Sequence, residues 1–218
     1  MVVEIKNKFL KFGNLKYFRA HAEQVQLGSI GEKRKSPLFK NYLEVEDRIQ
    51  IPETKIIEAT TADIDYNKTK KTSFNTDVSA IVKGVPVKMK GGLTFQKLKS
   101  GDLRLVKFGV MNNDLLRLAN NSPAQLNALR RWGKKARIAC QVFIVIEAKL
   151  AEEFVRGGNV EISAGVKGLE VKVGADHNSS GSTTVSLSKD TCFAYLLAEA
   201  EWENNVIVDL DYDQHGVG

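Results

Sequence analysis

Residues 137–150 read RIACQVFIVIEAKL, and from Ile138 to Ile146 no residue carries a charge. Just upstream stand five cations: Arg130, Arg131, Lys134, Lys135 and Arg137. Read with a period of two, Ile138, Cys140, Val142, Ile144 and Ile146 share one face of a strand. That face suits a protein core or a lipid tail. The opposite face, Ala139, Gln141, Phe143, Val145 and Glu147, is less polar than the wall of a water-filled pore requires. Two readings stay open. The segment is a core strand, or it leaves the core and enters a membrane, for which about 9–11 alternating residues suffice.

The rest of the chain fits β-structure around this strand. Ala164, Val166, Val160 and Ile162 form a return strand, joined through residues 152–158. Upstream, Val85, Val87, Met89, Leu93 and Phe95 alternate with Lys88, Lys90, Thr94 and Gln96. The turn Lys99-Ser100-Gly101-Asp102 leads back through Leu103 and Leu105 to Val110, so residues 78–110 read as a long β-hairpin. Residues 2–12 suggest a short helix with Val2, Ile5, Phe9 and Phe12 on one stripe, stopped by Gly13-Asn14. Residues 32–36 read as a basic loop, and 38–60 as strand–turn–strand around Pro52. Leucine spacing over 112–132 predicts two helices, capped by Asn112 or Asn113 and by Ser122, divided at Pro123 and ended by Gly133. The fold class is therefore α+β: a twisted, mainly antiparallel sheet with two long hairpins and a few short helices.

Charge is unevenly placed. The net charge of +6 over 218 residues conceals a basic body, because residues 193–218 hold no Lys or Arg and six acids. Such a distribution points to an anionic partner, lipid or nucleic acid, against the plain alternative of a solvated basic surface. Aromatics are not interleaved with the basic strands as in base-stacking platforms, so no nucleic-acid partner is expected. Cys140 and Cys192 form no metal or disulfide pattern, which makes a reducing, cytoplasmic compartment the default. No apolar run reaches the ~18 residues of a membrane helix, and the N-terminus lacks the apolar stretch of a signal peptide. His21, His177 and His215 sit in no ligand spacing and read as surface histidines, and there is no nucleophile elbow, phosphate loop or catalytic triad. No metal, cofactor or enzymatic activity is expected.

The order of these features resembles the N-terminal, pore-forming domain of the gasdermins. The basic start before Gly13-Asn14-Leu15 looks like the family's first helix and its glycine turn. EKRKSPLF (32–39) is similar to a basic segment preceding a hydrophobic tip. VSAIVKGVPVKMKGGLTFQKLKSGDLRLVKFGV (78–110) resembles the first inserting hairpin, and LNALRRWGKKARIACQVFIVIEAKL (126–150) the helix, glycine and long strand leading the second. Residues 167–202 are similar to the closing stretch, with its Thr-Cys-Phe-Ala-Tyr end. The chain departs from the mammalian type in having no room for a large inhibitory domain. It departs from many bacterial members in having no cysteine within residues 1–139 to be acylated. A bacterial or fungal-type member is the nearest pattern.

The resemblance implies monomers, cytoplasmic when inactive, that assemble as a homo-oligomeric ring in acidic membranes and cause cell death of the pyroptosis kind in antiviral or allorecognition defence. It implies that Lys6, Lys8, Lys11, Lys33, Arg34, Lys35, Arg130, Arg131, Lys134 and Lys135 bind acidic lipid. It implies that Val85, Val87, Met89, Leu93, Phe95, Leu103, Leu105, Ile138, Val142, Ile144, Ile146, Val160 and Ile162 belong to membrane-inserting hairpins. Residues 1–202 would be the pore-forming domain. For the acidic tail 203–218, three readings stand: an inhibitory peptide removed by a protease, a final edge strand, or a chain controlled by a partner protein. The alternative outside the family is a basic, β-rich, non-enzymatic module that binds nucleic acid or protein.

Overall fold

The uncharged segment becomes the central strand of a sheet. The computed structural model describes residues 3–6, 8–35, 41–52, 55–63, 103–147, 169–173, 183–187 and 192–216. Its strands are β1 (Glu4–Ile5), β2 (Phe9–Phe12), β3 (Leu15–Phe18), β4 (Ser29–Arg34), β5 (Tyr42–Arg48), β6 (Ile57–Asp63), β7 (Leu103–Gly109), β8 (Ala136–Glu147), β9 (Leu169–Val173), β10 (Thr183–Leu187), β11 (Ala194–Glu203) and β12 (Val206–Asp213). Two α-helices, α1 (Asn112–Asn120) and α2 (Pro123–Trp132), stand between β7 and β8. Among the described residues, ten strands form one sheet, β9 pairs with β10 apart from it, and the pairings are antiparallel. The α+β reading holds.

Both edges of β8 are occupied. Along one edge it pairs with β11, from Phe143↔Ala194 to Arg137↔Glu199. Along the other it pairs first with β4 (Ala136↔Glu32, Ile138↔Ile30) and then with β7 (Gln141↔Gly109 to Glu147↔Leu103). At the junction, the Gly28 amide donates to the Ala139 carbonyl (2.8 Å) and the Val110 amide to the Cys140 carbonyl (3.1 Å). No gap is left in the ladder where the partner changes, as buried backbone requires. Both faces are covered too: Ile138–Cys140 and Val142–Val145 are all buried. Phe143 lies edge-on to Tyr17 (4.8 Å between rings) and tilted against Phe12 (5.0 Å), which seals one face with the N-terminal strands. A register shift between Leu196 and Leu197 leaves Cys140 as the extra residue of a bulge.

The N-terminal helix is corrected to strands. β1 pairs with β2 (Ile5↔Leu10), and β2 with β3 across the two-residue turn Gly13-Asn14. Val3, Ile5, Leu10 and Phe12 are buried, while Glu4 and Lys11 point outward. Within each strand the period is two; the helix-like spacing of 2, 5, 9 and 12 arises only because the chain reverses between β1 and β2 and the phase is reset. β-branched and aromatic residues at these positions favour the pleat. Gly13 opens the hairpin turn with φ +61°, where a side chain would be strained. The expected basic loop at 32–36 is also corrected: Glu32, Lys33 and Arg34 lie within β4, opposite Glu44, Leu43 and Tyr42 of β5.

The helices fall where leucine spacing puts them. α2 begins at Pro123, and Gly133 ends it. Ser122 stands at the N-cap of α2 as expected, but the expected capping side chains bond elsewhere. Met111 precedes α1, and the Asn112 side-chain Nδ2 instead donates to the Leu210 carbonyl (2.7 Å). The Ser122 hydroxyl donates back to the Leu118 carbonyl (2.8 Å). Of the first expected hairpin, β7 is described and pairs with β6 as well as β8. Val85, Val87, Met89, Leu93 and Phe95 lie outside the described residues, as do Val160, Ile162, Ala164 and Val166 of the second.

Gly31 marks the closest backbone approach in this core. A Cβ added there would sit 1.8 Å from the Glu44 carbonyl oxygen. Gly31→Ala should therefore separate β4 from β5 and cost about 2–3 kcal/mol, the upper part of the usual overpacking range. Urea unfolding monitored by far-UV circular dichroism measures this; an unchanged midpoint would contradict the packing described.

Candidate functional site

The last strand is attached by polar contacts. β11 ends at Glu203, and Asn204-Asn205, with φ of 47° and 66°, turn the chain back into β12. Two consecutive positive φ values are the mark of the tight hairpin turn whose twist matches its strands. The pairs Glu201↔Asp209 and Trp202↔Ile207 leave Val208 unmatched. The phase therefore shifts: Ile207 and Leu210 turn inward and are buried, while Val206 and Val208 stay exposed. The single row Val206–Val208–Leu210 that simple alternation suggests is not formed.

At the far end of β12, Asp213 enters a buried charge cluster. Its side chain is 5% exposed, that of Lys33 9% and that of Arg137 8%. Lys33 Nζ donates to Asp213 Oδ1 at 2.8 Å, and Arg137 Nε donates to Oδ2. Arg137 spends its other donors on Glu199 Oε2 (2.7 Å) and on the Lys134 and Ala136 carbonyls (2.7 and 2.8 Å). Lys33 also lies over the Phe18 ring, 5.8 Å from its centre. Three separate strands, β4, β8 and β12, are thereby pinned at one point. Charges this buried are tolerated only because each is paired.

The outer edge of β12 is clamped by α1. Asn120 donates to the Ile207 carbonyl (2.8 Å) and accepts from the Ile207 amide (3.0 Å), while Asn112 holds the Leu210 carbonyl. Side-chain amides thus occupy backbone groups that would otherwise be an open sheet edge. Arg130 donates to the Asn205 carbonyl at the turn (2.9 Å). Beyond the strand, the Lys16 amide donates to Gln214 Oε1 (3.1 Å) and the His215 amide to the Lys16 carbonyl (2.8 Å). Gln141 on β8 links Tyr17, whose hydroxyl donates to its Oε1 (2.7 Å), to the Tyr212 hydroxyl (3.3 Å). Burial raises both phenols above their ordinary range. Opposing this attachment, Glu199 faces Asp211 and Glu201 faces Asp209 directly across the hairpin. Like charges in that relation are destabilising.

The sequence-derived lipid residues fall into two groups. Lys8, Lys11, Lys35, Arg131, Lys134 and Lys135 are exposed. Arg131 closes α2, and Lys134 and Lys135 form the turn just before β8. The others have partners within the chain: the solvent-accessible Lys6 with Glu4 (2.8 Å), Arg34 with Glu32 and Glu44 (2.8 and 2.6 Å) and Arg130 with Asn205, and the buried Lys33 with Asp213. Of the hairpin residues, Leu105, Ile138, Val142 and Ile144 are buried in the core, and Leu103 and Ile146 take their places in the β7 and β8 ladders. The pairing of Asp213 with Lys33 and Arg137 and the clamp by Asn120 are not visible in the sequence; only the isolation of six acids in the C-terminal segment hints at them.

Among the described residues no reactive centre stands out. Burial pushes the Cys140 thiol up to about 12 and the Cys192 thiol higher still, so both are inert at neutral pH. Among the described residues no cluster of three His, Cys, Asp or Glu side chains could hold a metal ion, and no helix is long and apolar enough to cross a membrane.

No family model matches this chain, and no curated protein matches it. Among solved structures it is similar to a bacterial gasdermin from Bradyrhizobium tropiciagri, at 14% identity over 87% of this chain and 83% of that one, with a TM-score of 0.25. At that level of likeness, what the site does has to be argued from its own residues.

Asp213→Ala leaves Lys33 and Arg137 without their shared carboxylate, and should cost about 3 kcal/mol in urea unfolding, as removal of one partner from a buried pair does. Asn120→Ala should instead act locally. Hydrogen exchange at Ile207 should speed by about tenfold or more, as loss of one or two buried hydrogen bonds allows, while β8 amides stay protected. Equal acceleration in β8 would contradict a local clamp.

Proposed function

We propose that this chain is a gasdermin-like pore former, held inactive by its C-terminal strand and acting as a homo-oligomer on acidic membranes. The observation that carries the proposal is the pairing of an uncharged strand, β8, with a cationic collar at its start. From Ile138 to Ile146 there is no charge, and Arg131, Lys134 and Lys135 stand exposed immediately before it. Each such cation near an acidic leaflet contributes roughly 1 kcal/mol of attraction. The order of features along the sequence supports the same reading.

The C-terminal strand supplies a reason for inactivity. Its release takes the shared Asp213 carboxylate away from Lys33 and Arg137, while Arg137 keeps Glu199, and the excess positive charge left at this point favours an incoming anion. Acidic lipid headgroups offer such anions. Release also strips the partner from β11 over Leu197–Glu203, and an unpaired strand edge is a template for another chain. Membrane strands must close into barrels because lipid satisfies no backbone group, so one copy cannot insert alone. Opening of one strand thereby couples lipid attraction to assembly. Release by a protease or by a partner protein fits equally.

Dye release from vesicles tests the proposal. Chain cut after Glu203 should release dye from vesicles rich in phosphatidylserine or cardiolipin, and the intact chain should release much less. Charge reversal at Arg131, Lys134 and Lys135 together should weaken vesicle binding at least about tenfold at low ionic strength and less at high salt. Absence of leakage from both cut and intact chains, with salt-sensitive binding to polynucleotide, would replace this reading by that of a basic binding module.

A further inference from the structure

His215 lies just past β12, two residues beyond Asp213, and its ring is packed into the N-terminal strands. The ring centre is 5.4 Å from that of Phe9 on β2 and 5.7 Å, edge-on, from that of Phe18 on β3. Its backbone amide is fastened to the Lys16 carbonyl at 2.8 Å. Its Nε2 is buried and has no hydrogen-bond partner among the described residues. The charged groups facing it are Lys16 on β3, Lys8 in the turn between β1 and β2, and Lys33 on β4, all cationic. On its own segment the nearest charge is the Asp213 carboxylate, which is already shared by Lys33 and Arg137. The expected surface histidine is therefore half-buried, with its Nε2 enclosed.

We propose that His215 is an acid-sensitive lock: its neutral ring holds the end of β12 against the N-terminal strands, and its protonation releases that end into water. A neutral imidazole suits a slot between two phenyl rings, where an unpartnered nitrogen costs least if it carries no charge. An imidazolium there has no acceptor for its buried N–H and meets three ammonium groups. Burial first, and then Lys16 and Lys8, hold the ring's affinity for protons below that of a free histidine.

The direction follows from linkage. A histidine that binds protons less readily when docked stabilises docking fully above its free value, near 6.5. That stabilisation is lost progressively as the pH falls below this value, because the released strand takes up the proton first. For one such group the open fraction rises by up to about tenfold between pH 7.5 and pH 5.5. As a trigger for membrane entry the lock rests on the pore-forming reading above. As a lock it stands on the docking of the strand alone, and the experiment uses no membrane.

Hydrogen exchange of the full chain at pH 7.5 and 5.5, each corrected for its intrinsic chemical rate, reads the opening directly. The amides of Val206–Asp213 should open several-fold more at pH 5.5, with those of Ile138–Val145 unchanged. His215→Gln should flatten the pH response, and His215→Lys should open the strand already at pH 7.5. His21→Gln is the control for the other described histidine, whose ring lies tilted against Tyr42 at 4.7 Å, and it should keep the response. A flat wild-type response overturns the proposal, and so does a response that survives in His215→Gln, which would assign it to another group. Should His215→Gln fail to fold, the wild-type response compared with His21→Gln and His215→Lys still decides.

Discussion

The backbone ladder of β8 is the constraint on which the rest of the structure depends. A strand without charge from Ile138 to Ile146 gains nothing from water on either side. Its amides and carbonyls nonetheless need partners along its length. The fold meets both demands at once. β11 takes one edge, β4 and β7 share the other, and Gly28 and Val110 bridge the junction between them. Phe12 and Tyr17 of the N-terminal strands close over Phe143. Each large apolar side chain fully buried in this way contributes about 1.5–3 kcal/mol, so the centre of the sheet dominates its stability.

β12 is attached on different terms. Of its eight residues, Ile207 and Leu210 are the buried apolar ones. The rest of its attachment is directional: Asp213 on Lys33 and Arg137, two asparagines of α1 on its outer edge, and the ring of His215 between phenyl groups. Paired carboxylates across the hairpin oppose it. Polar contacts are stable while every partner is present and fail together when one changes charge or is cut. In this fold β12 is therefore held mainly by directional polar contacts and β8 mainly by burial and its two paired edges.

Much of the core was legible because its signals are local. The uncharged run announced β8, leucine spacing announced both helices, and Pro123 and Gly133 marked their limits. The N-terminal strands were misread because Val2, Ile5, Phe9 and Phe12 fit a helical stripe when counted through a turn. The period-two burial of Val3, Ile5, Leu10 and Phe12 appears only once the reversal between β1 and β2 is allowed. The cluster around Asp213 was illegible for another reason. Lys33, Arg137 and Asp213 are separated by 104 and 76 positions, and no local pattern records which cation a carboxylate will meet. The same holds for His215, whose partners Phe9 and Phe18 lie at the opposite end of the chain. Acidic excess in the C-terminal segment showed that it had something basic to meet, without showing what.

A separable last strand on a fixed centre is the claim that the account needs most. Native-state hydrogen exchange in increasing, sub-denaturing urea tests it in one experiment. If β12 opens on its own, the amides of Val206–Asp213 exchange at a lower free energy than those of Ile138–Val145 and with little urea dependence, while the β8 amides follow global unfolding. If both sets fall on one isotherm with the same slope and intercept, the last strand is an inseparable part of the core, and its role as a releasable latch is wrong.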